Sequence, residues 1–198
     1  MTAKTKILVL GNSPFINEID FNRIDSDITT FGVNRIWLKY YPDYFFFHDP
    51  EIVKELSNKP EIVKELNRRS ISFTSDWYKK PIPSWVRRCV RSNRRTFPDS
   101  ITTGISILGE SLLKGNATDY TFYIAGVHLK WMEPSHFWKG TYASHNKHGK
   151  EWYDPRFERM LLNFKNLQKF GYNFISVTPN SNLNKIMRYE NIANLYTK

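Results

Sequence analysis

The sequence predicts an α/β fold: a Rossmann-like, mostly parallel sheet with helices on both faces and a basic lid or insertion. Three observations carry this reading. Short apolar runs recur along the 198 residues and end in glycine, proline or small polar residues. Segments of helical period lie between several of them, the alternation that a parallel sheet requires. Polar residues gather just after the apolar runs, where ligands bind in such sheets.

The elements follow in order. KILVLG, residues 6–11, is a continuous apolar run and reads as a buried first strand. NEIDFNRI reads as a short helix or ordered connection. ITTFGVN, 28–34, is a second strand ending at Asn34, and DYFFFHDP, 43–50, a third that stops at His48-Asp49-Pro50, since Pro50 biases Asp49 away from helix. EIVKEL then occurs twice, at 51–56 and 61–66, separated by a proline-containing break. Each copy puts Ile, Val and Leu on one face, giving one broken helix or two short ones. SISFTS, 70–75, is a further strand, and the basic stretch after it an insertion or lid. ITTGISILGESLLKG, 101–115, has helical spacing and a glycine stop; DYTFYIAGVHL, 119–129, is a buried strand. Residues 131–153 lack periodicity and read as a loop. PRFERMLLNFKNLQKFG, 155–171, is an amphipathic helix closed by Gly171. YNFISVTPNS, 172–181, is the last strand, and NLNKIMRYENI, 182–192, a closing helix.

The length suits a single domain over residues 1–198, with 68–97 and 131–153 as lid or acceptor loops. Hydrophobic residues make up 40%, enough for a core, and no run approaches a membrane span. The basic, then apolar N-terminus fits a first strand better than a signal peptide, whose apolar region is longer. Cys89 is the only cysteine, so an internal disulfide is excluded and a cytoplasmic setting expected. The net charge of +10 attracts polyanions. It concentrates between Arg68 and Arg95, where Arg68, Arg69, Lys79, Lys80, Arg87, Arg88, Arg91, Arg94 and Arg95 meet one acid, Asp76. Trp77, Tyr78, Trp85 and Phe97 are interleaved, a mixture that can neutralise phosphates and stack on bases. The alternative is a solvated basic loop whose aromatics serve the core.

Six segments converge on the expected ligand rim: Gly11-Asn12-Ser13, Asn34, His48-Asp49, Thr102-Thr103-Gly104, Gly126-Val127-His128 and Thr178-Pro179-Asn180-Ser181. Gly11-Asn12-Ser13-Pro14 lacks the GKS or GKT of a phosphate loop and the GxGxxG of a dinucleotide fold. It is either a tight turn or a place where Gly11 lets backbone approach a phosphate and Asn12 hydrogen-bonds it. Thr102-Thr103-Gly104 opens a helix, where free N–H groups favour an anion. His145 and His148 are three apart, but no carboxylate pattern completes a metal site. A loop histidine above the sheet suits a general base. GxSxG is absent, which argues against a serine hydrolase.

The ordered set of motifs resembles the bacterial sialyltransferases of glycosyltransferase family 42. It comprises a strand into GNSP, Asn34 closing the second strand, Asp49-Pro50, Thr102-Thr103-Gly104, a strand ending at Gly126, His145-Asn146-Lys147 and Pro179-Asn180-Ser181. The resemblance covers roughly residues 6–186. It implies a Rossmann-like fold with a lid and inverting, metal-independent transfer of sialic acid from a CMP-activated donor to a sugar hydroxyl, with no separate cofactor; for this chain the expected co-substrate is a CMP- or UDP-linked sugar. It implies that Gly11, Asn12, Ser13, Asn34, Asp49 and Gly126 hold the donor nucleotide and its phosphate. Thr102, Thr103 and Gly104 would line the donor pocket, and Pro179, Asn180 and Ser181 would hold the cytidine end. His145 would take the acceptor proton.

The chain departs from that pattern at Asp49, where the family has Asn, at Ser100, where it has Arg, and at His128, where it has Asp. In place of the family's two tyrosines, Lys130 and His136 stand in as supports for the leaving phosphate, which needs positive charge or donors. The basic segment suggests a polyanionic acceptor. The reading preferred from the sequence is therefore a hydroxymethylated base in bacteriophage DNA, bound through Arg68 to Arg95 in a bacterial host cytoplasm, with Trp77 or Trp85 filling the gap of a flipped base. The alternatives are a lipopolysaccharide or capsule glycan acceptor, a non-catalytic nucleic-acid-binding protein on the same fold, and a pterin pyrophosphokinase-like enzyme.

Overall fold

This computed structural model describes residues 4–76, 78–90, 99–132, 136–137 and 150–197, the side chain of Trp152 excepted. Eight strands form one sheet: β1 (Thr5–Leu10), β2 (Thr29–Val33), β3 (Tyr44–Phe46), β4 (Ile71–Ser75), β5 (Arg87–Cys89), β6 (Tyr120–Ala125), β7 (Asn173–Ser176) and β8 (Arg188–Tyr189). Their order is β5-β4-β3-β2-β1-β6-β7-β8, and every neighbouring pair is parallel. The four main helices are α1 (Pro50–Ser57), α2 (Pro60–Arg69), α3 (Ser100–Ile107) and α4 (Lys150–Lys169).

Strand periodicity divides the apolar residues between two cores. On β1, Ile7 and Val9 join α3 and α4 through Ile101, Ile105, Phe164 and Leu167. Leu8 and Leu10 point the other way, to Ile52 and Leu56 of α1 and Leu66 of α2. A strand buried on both faces needs a continuous apolar run, which is why ILVL shows no alternation. The repeated EIVKEL is two helices, each opened by its proline, Pro50 and Pro60. Proline suits that place because its missing N–H would have no partner in the first turn.

Two strands differ from the sequence expectation. The basic stretch after β4 contains the edge strand β5, whose Arg87-Arg88-Cys89 carries no apolar run because only one side of it pairs. The expected closing helix over 182–192 is instead a 3-10 turn (Asn182–Lys185), the short edge strand β8, and a second 3-10 turn (Ile192–Leu195). Helix α4 also begins at Lys150, with Pro155 inside it, so the last residues of the expected 131–153 loop are helical. The helix expected over 101–115 stops as α3 at Ile107 and continues as a π turn through Leu112.

The chain leaves the sheet leftwards from β1 to β2 and returns on its right at β6. The crevice beyond the carboxyl ends of β1 and β6 is therefore a topological switch point, where open α/β sheets bind ligands.

Candidate functional site

A cavity of about 170 Å³ lies in that crevice. Asn12 and Ser13 from the β1 turn form one wall, and Gly126 to Met132 from the β6 turn form another. His136 lies over it, and Ile101 of α3 with Tyr153, Phe157 and Met160 of α4 make the apolar side. Of the residues expected in a donor site, Gly126, Asn12, Ser13, Lys130 and His136 meet here.

Backbone geometry holds the two turns together. The Gly11 amide donates to the Ala125 carbonyl at 2.8 Å and the Ser13 amide to Gly126 at 2.9 Å. A Cβ on Gly11 would lie 2.5 Å from the Gly126 oxygen, so no larger residue fits. Gly126 has φ +69°, and its own Cβ would meet Ile16. Strain of this kind recurs along the rim at Asn34, Leu129 and Asn180, with φ of 53°, 51° and 56°. Non-glycine residues hold such angles only where the surroundings fix them, most often near functional sites.

Among the described residues, Asn12 Oδ1, Ser13 Oγ and His128 Nδ1 on the cavity are buried polar atoms without a hydrogen-bond partner, as are Asn34 Oδ1 and Thr103 Oγ1, which do not line it. Buried polar groups are normally hydrogen-bonded, and an orphan at a rim marks a place for a polar ligand. His128 was expected on the rim, but without a role of its own. Desolvation and then Lys130 lower its pKa, against a hydrogen bond to the Pro179 carbonyl that raises it. The imidazole is thus neutral at pH 7, with its bonded nitrogen carrying the proton and Nδ1 left as an acceptor. Its place at the end of a buried strand was the available sequence signal.

Other expected site residues do structural work. Ser181 Oγ donates to the Val127 carbonyl at 2.6 Å, and the Asn182 amide donates to His128 O at 2.8 Å, so the Pro179-Asn180-Ser181 turn braces the β6 turn. Asp49 caps α1, accepting from the Glu51 amide at 2.9 Å. Gly104 packs under Phe31 and Phe46, where a Cβ would lie 2.6 Å from the Phe31 ring. At the start of α3, Asp99 accepts from the amides of Ile101 and Thr102, from the Thr102 hydroxyl and from Asn163 of α4. The free N–H groups expected to draw an anion to Thr102-Thr103-Gly104 are therefore already capped by the chain's own carboxylate. Burial pushes the Asp99 carboxyl up in pKa, against those hydrogen bonds.

Asn34 is held by its amide, which donates to the Phe46 carbonyl at 2.9 Å. Buried Arg35 donates to Glu55 of α1 at 2.6 Å, and Glu55 also takes Lys59 at 2.8 Å. Segment 136–137 is tied over the β1 turn, with the Phe137 amide donating to Asn12 O and Asn17 Nδ2 to Phe137 O, each at 3.0 Å.

His145, the expected base, lies outside the described residues, as do His148, Trp77, Arg91, Arg94, Arg95 and Phe97. Of the described basic residues, Arg68 and Arg69 both pair with Glu65, while Arg87 and Arg88 lie on the edge strand β5. That strand is four positions from β1, about 19 Å at the usual spacing of parallel strands. Among the described residues, no three His, Cys, Asp or Glu side chains gather as a metal ion would need, and no helix is long and apolar enough to cross a membrane.

No protein-family model and no curated sequence matches the chain. Solved structures do. The monofunctional α-2,3-sialyltransferase Cst-I from Campylobacter jejuni superposes with a TM-score of 0.63 at 13% identity, over 100% of this chain and 84% of that one. The sialyltransferase CstII from Campylobacter jejuni, solved with cytidine 5′-monophosphate, gives 0.61 at 12% identity, over 100% and 89%. A CST-II complex with a trisaccharide acceptor and CMP gives 0.61 at 13%, over 98% and 88%. At this identity the likeness is one of fold, spread over almost the whole chain, and it is the fold that the motif order in the sequence implied.

Proposed function

We propose that the protein is a glycosyltransferase that moves a sugar from a CMP-linked donor to a hydroxyl, with inversion and without a metal. The observation that carries this reading is the switch-point cavity with its unpartnered buried atoms on Asn12, Ser13 and His128. Solved neighbours with the same fold bind CMP, according to their descriptions, which favours CMP over UDP.

In the proposed reaction the acceptor oxygen forms a bond to the anomeric carbon as the bond from that carbon to the phosphate oxygen breaks. His145 takes the acceptor proton, and CMP leaves with the bonding pair. Asn12 and Ser13 orient the nucleotide, with Asn34 and Thr103 completing the rim. The Lys130 ammonium and His136 stabilise charge on the departing phosphate. Neutral His128 accepts a hydrogen bond from a donor hydroxyl through Nδ1.

The favoured acceptor is a glycan hydroxyl, as the trisaccharide in a neighbour of the same fold suggests. A hydroxymethylated base in phage DNA is the second reading, favoured by the charge of +10 and by exposed Lys79, Lys80, Arg87 and Arg88. Salt separates them: transfer to DNA would fall steeply between 50 and 200 mM salt, by about 10³ or more, while transfer to a neutral glycan would hardly change. The test of the whole reading is incubation with CMP-linked sugars and following free CMP. Release that depends on Asn12 supports it; the absence of release with any CMP- or UDP-sugar overturns it.

A further inference from the structure

A second cavity of about 460 Å³ adjoins the first on the far side of Lys130, Trp131 and Phe157, which line both. Its other walls are Lys150, Asp154, Glu158 and Leu161 on α4, with Leu129 and with Asn182 from the turn after β7. We infer that this cavity is a subsite for a neutral glycan acceptor, recognised by carboxylates and aromatic faces. This rests on the glycosyltransferase reading and deepens it.

The volume lies within the range of small-molecule sites and leaves room for a short saccharide. Its chemistry is complementary to sugar. Ionised carboxylates only accept hydrogen bonds, and sugar hydroxyls are abundant donors. Asp154 and Glu158 stand one helical turn apart on the same face of α4, so both carboxylates serve one ligand. Among the described residues, the ion pair of Asp154 is with Lys150 at 4.0 Å, an exposed and weak contact. Asn182 donates its amide to Leu129 O at 2.6 Å, which orients its carbonyl oxygen as a further acceptor. Trp131 and Phe157 line the cavity beside the carboxylates and offer aromatic surface to the apolar face of a pyranose; Tyr153, 5.1 Å from Trp131 and stacked on Phe157 at 5.7 Å, braces both from the first cavity.

A phosphodiester here would meet Asp154 and Glu158 beside Lys130 and Lys150, so the lining carries no net positive charge to hold a polyanion. Because Lys130 and Trp131 separate the two cavities, a sugar in the second lies next to a donor in the first, the proximity that transfer requires.

The test measures binding of the methyl glycosides of galactose, glucose and N-acetylglucosamine by saturation-transfer NMR with CMP present. CMP affinity is measured separately by calorimetry. At least one glycoside is expected to bind the wild type. D154N/E158Q should weaken it about tenfold or more, and Leu161→Trp, which fills the cavity, should abolish the signal; CMP affinity stays unchanged in both. The inference is overturned if no glycoside binds a wild type that does bind CMP, if binding survives both variants, or if oligothymidylate displaces the glycoside. Failure of the wild type to bind CMP would instead remove the donor reading, whatever the glycosides do.

Discussion

Gly11 and Gly126 face each other across the β1–β6 junction so closely that a methyl group on Gly11 would lie 2.5 Å from the Gly126 carbonyl oxygen. The atom met is backbone and cannot swing aside. Gly11→Ala therefore pushes the two turns apart, with an expected cost of about 1–3 kcal/mol. The cavity lies between those turns, so CMP affinity should fall further than stability does. Thermal unfolding and calorimetric titration of the variant check both.

Asp99 ties α3 to α4 through bonds to Ile101, Thr102 and Asn163. Asp99→Ala removes a helix cap and one acceptor of the fully buried Asn163 amide, which keeps Thr102 Oγ1 at 3.1 Å, and should cost about 1–3 kcal/mol. Asp99→Asn keeps a capping oxygen and should cost less than half as much. Urea unfolding of the two variants separates capping from simple packing.

Glu55 joins buried Arg35 to Lys59. Burial alone would raise its pKa, but hydrogen bonds from Lys59 and Arg35 outweigh it and hold the carboxyl below 4.5. A depressed carboxylate stabilises the fold above its unfolded value and loses that contribution as pH falls through the folded one. Glu55→Ala should cost about 3 kcal/mol at pH 7, because the Arg35 charge is left buried. The difference from wild type should shrink below about pH 4.5, as equilibrium unfolding across pH would show.

His128 gives a dependence of the same sign at milder pH. Its folded pKa is lowered from 6.5 by desolvation first and Lys130 second. Below that value the unfolded chain takes the proton before the folded one does, so stability falls as pH drops from 6.5 and is fully present above it. His128→Asn should flatten this dependence, seen as melting temperatures that differ less between pH 7.5 and 5.5 than those of wild type.

His145→Ala should lower transfer about 100-fold or more while leaving CMP affinity near wild type. Steady-state kinetics beside calorimetry would show the split, and wild-type turnover would remove His145 from its role.

Much of the fold was legible because both faces of the sheet are covered. A strand buried twice over is a continuous apolar run, so β1, β2, β3 and β6 stand out. Edge strands β5 and β8 have one partner each and read Arg87-Arg88-Cys89 and Arg188-Tyr189, with no apolar run to mark them. At the site, Asn12 and Ser13 announced themselves by following a strand and a glycine. The apolar wall from α4 did not. Pro155 looked like the first residue of that helix, which left Tyr153 in an apparent loop and Asp154 in no element. Asp99 was hidden for another reason: a cap is defined by the amides it accepts from, and its most distant partner, Asn163, lies 64 residues away.

The central claim is that the β1–β6 crevice grips the nucleotide of an activated sugar. Its most direct test is a calorimetric titration of the wild-type protein and Asn12→Ala with CMP. Saturable binding that weakens about tenfold or more in the variant is expected, from loss of a hydrogen bond to a charged group. Equal affinity in the two proteins, or no binding of CMP by the wild type, would contradict the account.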